Sequence, residues 1–135
     1  MKKILQVFSI LWIISVLPLS GQTDKIPEGI VLSIKAGNAE ELIKHFHNNV
    51  ELIILDKEDV YSKSQAEQIL RKFFIDHNPL GFKIIFEGGK ENSRYAIGSL
   101  TTKETTYRVY ILIKKQDGEP LIHQLRIEEE DEDDQ

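Results

Sequence analysis

The chain has no cysteine in its 135 residues. That excludes a disulfide framework, a thiolate nucleophile, a thiolate-ligated zinc site and an acylated lipoprotein cysteine. Basic residues are also short: 17 Lys and Arg stand against 22 Asp and Glu. A pI near 5.4 argues against general nucleic-acid binding, which needs a basic face. The length excludes a cofactor domain joined to a substrate domain, since it makes one small domain. There is no Gly-x-Ser-x-Gly elbow, and no Ser or Thr has an evident His and Asp partner, so nucleophilic hydrolysis lacks its residues. Gly88-Gly89 is not followed by a helix and reads as a turn, not a phosphate cradle.

A run long enough to span a membrane is missing too. Ile4–Leu17 is apolar except for Gln6, Ser9 and Ser15, but its 14 residues fall short of a span, which needs about 20. With Lys2 and Lys3 before it and Pro18-Leu19-Ser20-Gly21 after it, the stretch has the layout of a secretory signal. Residues 1–21 are therefore expected to be a cleaved signal peptide, with processing after Gly21 or Ser20. The mature chain is expected to be exported to the periplasm, cell surface or medium, with no membrane span left. Seven of the last eight residues are acids. Setting them aside, together with Lys2 and Lys3, leaves fifteen acids and fifteen bases, so residues 22–127 read as one neutral domain. Residues 128–135 repel one another and bury nothing, which predicts a solvated, disordered tail.

Along the body, Pro27 opens a helix that Gly37 closes, and Asn38 with Glu41 starts a second, with Leu42 and Phe46 on its buried stripe. Val50–Leu55 reads as a strand followed by a polar turn at Asp56–Asp59. Ser62 with Gln65, or Ser64 with Glu67, starts a third helix that stops at Asn78-Pro79. A meander follows: Phe82–Glu87, a turn at Gly88-Gly89, Arg94–Thr102, a turn at Lys103-Glu104, Thr105–Lys115, a turn at Asp117-Gly118, and Leu121–Glu128. Helix, helix, strand, helix and four antiparallel strands make an α+β plan with helices on one side of a bent sheet.

In that order the chain resembles the NTF2-like (cystatin-like) cone, three helices packed on a strongly curved, mainly antiparallel sheet. More narrowly, Ile26–Leu42, Asn48–Glu67, Arg94–Thr102 and Leu121–Glu128 resemble a family of small exported bacterial proteins known as domain of unknown function 4783. The resemblance implies a fold and an exported address and carries over no functional residue. Enzymes on this fold, such as ketosteroid isomerases and epoxide hydrolases, use carboxylates inside the cone. Here no Asp or Glu occurs from Asn92 to Lys103, from Thr105 to Gln116 or from Pro120 to Ile127, so that chemistry lacks its acids.

Two-residue loops at Lys103-Glu104 and Asp117-Gly118 set Tyr95 beside Leu112 and Leu112 beside His123. One face then carries Tyr95, Ser99, Arg108, Tyr110 and His123, with Leu125 and Ile127 aligned to it. The other carries Leu100, Tyr107, Val109, Ile111, Ile122, Gln124 and Arg126. One bulge would flip part of this assignment. Both faces are too apolar to lie in water. The first is expected under the helices, with Tyr95, Arg108, Tyr110 and His123 lining a site for a small apolar or carboxylate ligand. The second, with Leu100, Tyr107, Val109 and Ile111, is expected to form a homodimer interface.

His45 and His47, two apart on a helix, diverge and share no metal. No other ligand set is evident, so neither metal nor cofactor is expected. His77 reads as a helix-stop residue favouring the C-terminal dipole. The function expected is non-catalytic binding of a small molecule or a protein partner. The alternatives are an acid/base enzyme using His123 and a Tyr hydroxyl in the cone, or a self-assembling structural module.

Overall fold

Pro27 and Gly37 bracket the first helix as their chemistry demands. In the computed structural model, which describes residues 25–131, α1 runs Glu28–Ala36, and Gly37 closes it in the left-handed region at φ 64°. The expected signal segment and the end of the acidic tail, residues 132–135, lie outside the described residues. The Asn38 side chain accepts from the Glu41 N–H and caps α2, Ala39–Leu42. This helix is shorter than expected. A 3₁₀ turn, Ile43–His45, follows it, and Phe46 begins a strand instead of ending a helical stripe, although it is buried all the same.

That strand, β1 (Phe46–Ile54), turns at Leu55-Asp56 into β2 (Lys57–Ser62), where a solvated turn over Asp56–Asp59 was expected. The hidden strand is an edge whose exposed charges give no apolar alternation to read. Ser62 then forms a reciprocal capping box with Gln65 and starts α3 (Lys63–Asp76). Four strands complete the chain: β3 (Gly81–Lys90), β4 (Ser93–Thr101), β5 (Thr106–Gln116) and β6 (Glu119–Glu129). The sheet order is β2-β1-β6-β5-β4-β3, antiparallel throughout except for the parallel β1/β6 pair.

Asp117 (φ 51°) and Gly118 (φ 78°) make the tight β5–β6 turn that Asp-Gly predicts. Gly88-Gly89 is not the β3–β4 turn. Both residues are paired strand, opposite Tyr95 and Arg94, and the chain reverses at Glu91-Asn92. The acidic end also begins later than expected. Glu128 and Glu129 belong to β6, and the Glu130 N–H reaches the Thr106 carbonyl at 3.0 Å.

The helices cover one face of the sheet. Ile30, Ile34, Leu42, Leu70, Phe73 and Phe74 meet Ala96, Leu100, Tyr107, Val109, Ile111, Leu125 and Ile127 in a single buried cluster. This reverses the expected faces. Leu100, Tyr107, Val109 and Ile111 are core residues of the chain itself, so they cannot form a dimer surface. The physical reason is charge. The opposite face holds Arg108 and Arg126, whose guanidinium groups stay near water, whereas the covered face holds none.

Candidate functional site

The register at residue 123 decides which β6 side chains join the expected site residues. The β4/β5 register is as predicted, with Tyr95 opposite Leu112, Ile97 opposite Tyr110 and Ser99 opposite Arg108. The β5/β6 register slips by one between Leu112 and Ile113, and His123 is the extra residue. Gln124, Arg126 and Glu128 therefore join Tyr110 and Arg108 on the outer face, and Leu125 and Ile127 turn inward.

Tyr95, Arg108 and Tyr110 lie together on that outer face. Tyr95 and Tyr110 stack at 5.9 Å, and Phe86 leans on Tyr95 at 5.7 Å. Tyr95 also covers Gly88, where a Cβ would come within 2.8 Å of the phenol ring. Arg108 lies beside Tyr110 in a shallow groove with Ile97, Gln124, Arg126 and Glu128, and it reaches Glu130 at 3.6 Å. His123 is apart from the two Tyr rings. Its ring partner is His47, stacked at 4.3 Å, and its Nε2 is buried without a hydrogen-bond partner among the described residues. Burial, first, and then His47 and Lys114 hold its pKa below the ordinary imidazole value. The expected site under the helices is thus not made by these residues.

The space between helix and sheet opens elsewhere. A cleft of about 420 Å³ lies between α3 and the β1–β2 hairpin. Leu52, Ile54, Ile69 and Phe73 give it apolar walls, and Asp56, Lys57, Tyr61, Lys72, Asp76 and His77 supply its polar groups. The sequence places these locally. β1 alternates Leu52 and Ile54 toward the core, and α3 with its C-cap sets Ile69, Phe73 and His77 four residues apart along one side, with Asp76 beside His77. Lys72 and Asp76 pair at 3.0 Å on the last turn of α3.

His77, the C-cap residue of α3, sends its N–H back to the Phe73 carbonyl at 2.8 Å. Its ring packs on Phe73 at 4.8 Å and meets Tyr107 at 5.4 Å. The Tyr107 hydroxyl lies 3.0 Å from His77 Nδ1, and that phenol is only 2% exposed. Burial first, then Glu129 and Glu104, push the Tyr107 pKa up, so the phenol stays protonated. The cleft therefore has an apolar body and, at its end, the His77 ring, held from behind by the buried Tyr107 hydroxyl. Among the described residues no three His, Asp or Glu side chains gather as a metal site requires.

Three helices on a mixed six-stranded sheet, with a cleft where α3 meets the sheet, define an NTF2-like, cystatin-like α+β cone. Two solved structures share this architecture. A protein named Rd1NTF2_04 with long sheet matches at TM-score 0.62 and 15% identity, covering 74% of this chain and 94% of its own. A domain of unknown function with a cystatin-like fold from Nostoc punctiforme matches at TM-score 0.61 and 9% identity, covering 76% of this chain and 72% of its own. These likenesses concern fold alone.

Residues 27–128 match the family described as Domain of unknown function (DUF4783), and the chain belongs to that family. A DUF4783 family protein from Bacteroides uniformis is similar at 34% identity and TM-score 0.75, covering 80% of this chain and 100% of its own. No curated protein matches the chain.

Proposed function

We propose that this protein is an exported, non-catalytic binding domain whose site is the cleft between α3 and the β1–β2 hairpin. Export rests on the basic, apolar and small-residue order of residues 1–21. The observation that carries binding is the cleft itself. At about 420 Å³, with walls of Leu52, Ile54, Ile69 and Phe73, it has the size and lining of a small-ligand site, which typically spans about 300–1,000 Å³. Catalysis is less well supported. The phenol is shut away from the cleft, Asp76 is engaged by Lys72, and β4, β5 and residues 120–127 of β6 carry no acid.

Titrating the methyl-labelled protein with naphthalene tests the reading. The Ile54 and Ile69 methyl signals should shift, while Ile97 on the outer face stays still. Shifts centred on Ile97, or none at all, contradict it.

A second reading follows from the row Phe86–Tyr95–Tyr110, apolar rings left half-exposed or exposed on the outer face. It assigns that face, in place of the Leu100 and Tyr107 face, to a homodimer contact. Sedimentation should then give a dimer that Tyr110→Asp converts to monomer. A monomeric parent protein rejects this reading.

A further inference from the structure

The proton on the His77 ring can be located by following the hydroxyl beside it. Tyr107 is buried, and among the described residues its hydroxyl has one hydrogen-bond partner, His77 Nδ1, at 3.0 Å. If Nδ1 carried the proton and donated it, the phenol proton would be left buried with no acceptor, which is unfavourable. The arrangement that satisfies both groups has Tyr107 donating to Nδ1. Neutral His77 then holds its own proton on Nε2. The raised pKa of Tyr107 works in the same direction, since an ionised phenolate could only accept. Phe73 against one side of the imidazole and Tyr107 against another fix the ring's orientation. With Nδ1 occupied, Nε2–H is what the ring can offer a ligand in the cleft that His77 lines.

Among the cleft's other polar groups the charges balance, and the Tyr61 hydroxyl both donates and accepts, so it favours an acceptor ligand no more than a donor. Lys72 and Asp76 neutralise each other, and Asp56 and Lys57 stand side by side in sequence at the hairpin. Resting on the cleft reading above, we infer that the ligand is an apolar molecule bearing a carbonyl or carboxylate oxygen, which accepts from His77 Nε2–H, and that Tyr107 is the positioning residue holding the imidazole in that tautomer.

A matched set of probes tests this on the purified protein: naphthalene, acetylnaphthalene, naphthoate and naphthylmethylamine. The ketone and the carboxylate should each bind at least about fivefold more tightly than naphthalene, the gain of one hydrogen bond. The amine, which offers a cation and no acceptor, should show no gain. The tighter of the two acceptors identifies the source of the oxygen. In Tyr107→Phe the acceptor preference should shrink while naphthalene binding holds, and the ring-nitrogen NMR signals of His77 should move from an Nε2–H tautomer toward a mixture. A purely structural role for Tyr107 would instead lower all affinities together. His77→Leu should abolish the preference even if Tyr107→Phe fails to fold. Equal affinity for naphthalene and both acceptors overturns the inference but keeps the cleft reading, whereas no binding by any probe overturns the cleft reading itself.

Discussion

Gly98 sits on the covered face of β4, and a Cβ there would run into the Phe82 ring carbons, with Phe82 itself buried. Gly98→Ala is expected to lose about 1–3 kcal/mol through overpacking, read as a lower urea midpoint. At Gly81 an added Cβ meets nothing, so Gly81→Ala should change stability by less than about 1 kcal/mol. His123 gives a second test at this scale. Its pKa is depressed in the folded chain, mainly by burial. The unfolded chain therefore takes up the proton first as pH falls. The stability His123 allows is complete above about pH 6.5 and declines below it, toward the lower folded pKa. His45, also lowered mainly by burial, adds to the same decline. His123→Gln should flatten part of the fall in urea midpoint below about pH 6.5; an unchanged slope contradicts the burial of its imidazole. His77 marks what single residues reveal. Its helix-stop position was legible, because Asn78-Pro79 follows it. Its partner was not, because Tyr107 lies 30 residues away on a face that sequence alone assigned to a dimer.

Elements bounded by strong local chemistry were the legible ones. Gly37, Asn38, the Ser62–Gln65 box and Asp117-Gly118 each act within a few residues, and each ends or starts the element expected. The Ser62 box also holds the start of α3, which carries Ile69, Phe73 and His77 into the cleft. Ser62→Ala should cost about 1 kcal/mol of stability by urea titration, and an unchanged midpoint would deny the cap its role. Elements set by non-local pairing were illegible. β2 exists because β1 pairs with it, and its sequence of exposed charges has no periodic signal. The bulge at His123 lies where β6 must pair with β5 on one side and with β1, through its own irregularity from Phe46 to Glu51, on the other. Side chains alternate with period two, so that one extra residue moved Gln124 and Arg126 outward and Leu125 and Ile127 inward.

For the molecule as a whole, the α+β cone could be read from element order, and membership of the DUF4783 family agrees with that order. Which face of the sheet the helices cover could not be read, because both faces carry apolar side chains and the choice turns on where Arg108 and Arg126 meet water. That choice moves the candidate site from the outer face to the mouth beneath α3. The central claim, a ligand-holding cleft, is tested most directly by native mass spectrometry of the protein purified without denaturation, beside Ile69→Trp, which fills the cleft. The account predicts a reproducible added mass that is released on denaturation and absent from Ile69→Trp. A bare parent protein, or an adduct that Ile69→Trp retains, would contradict it.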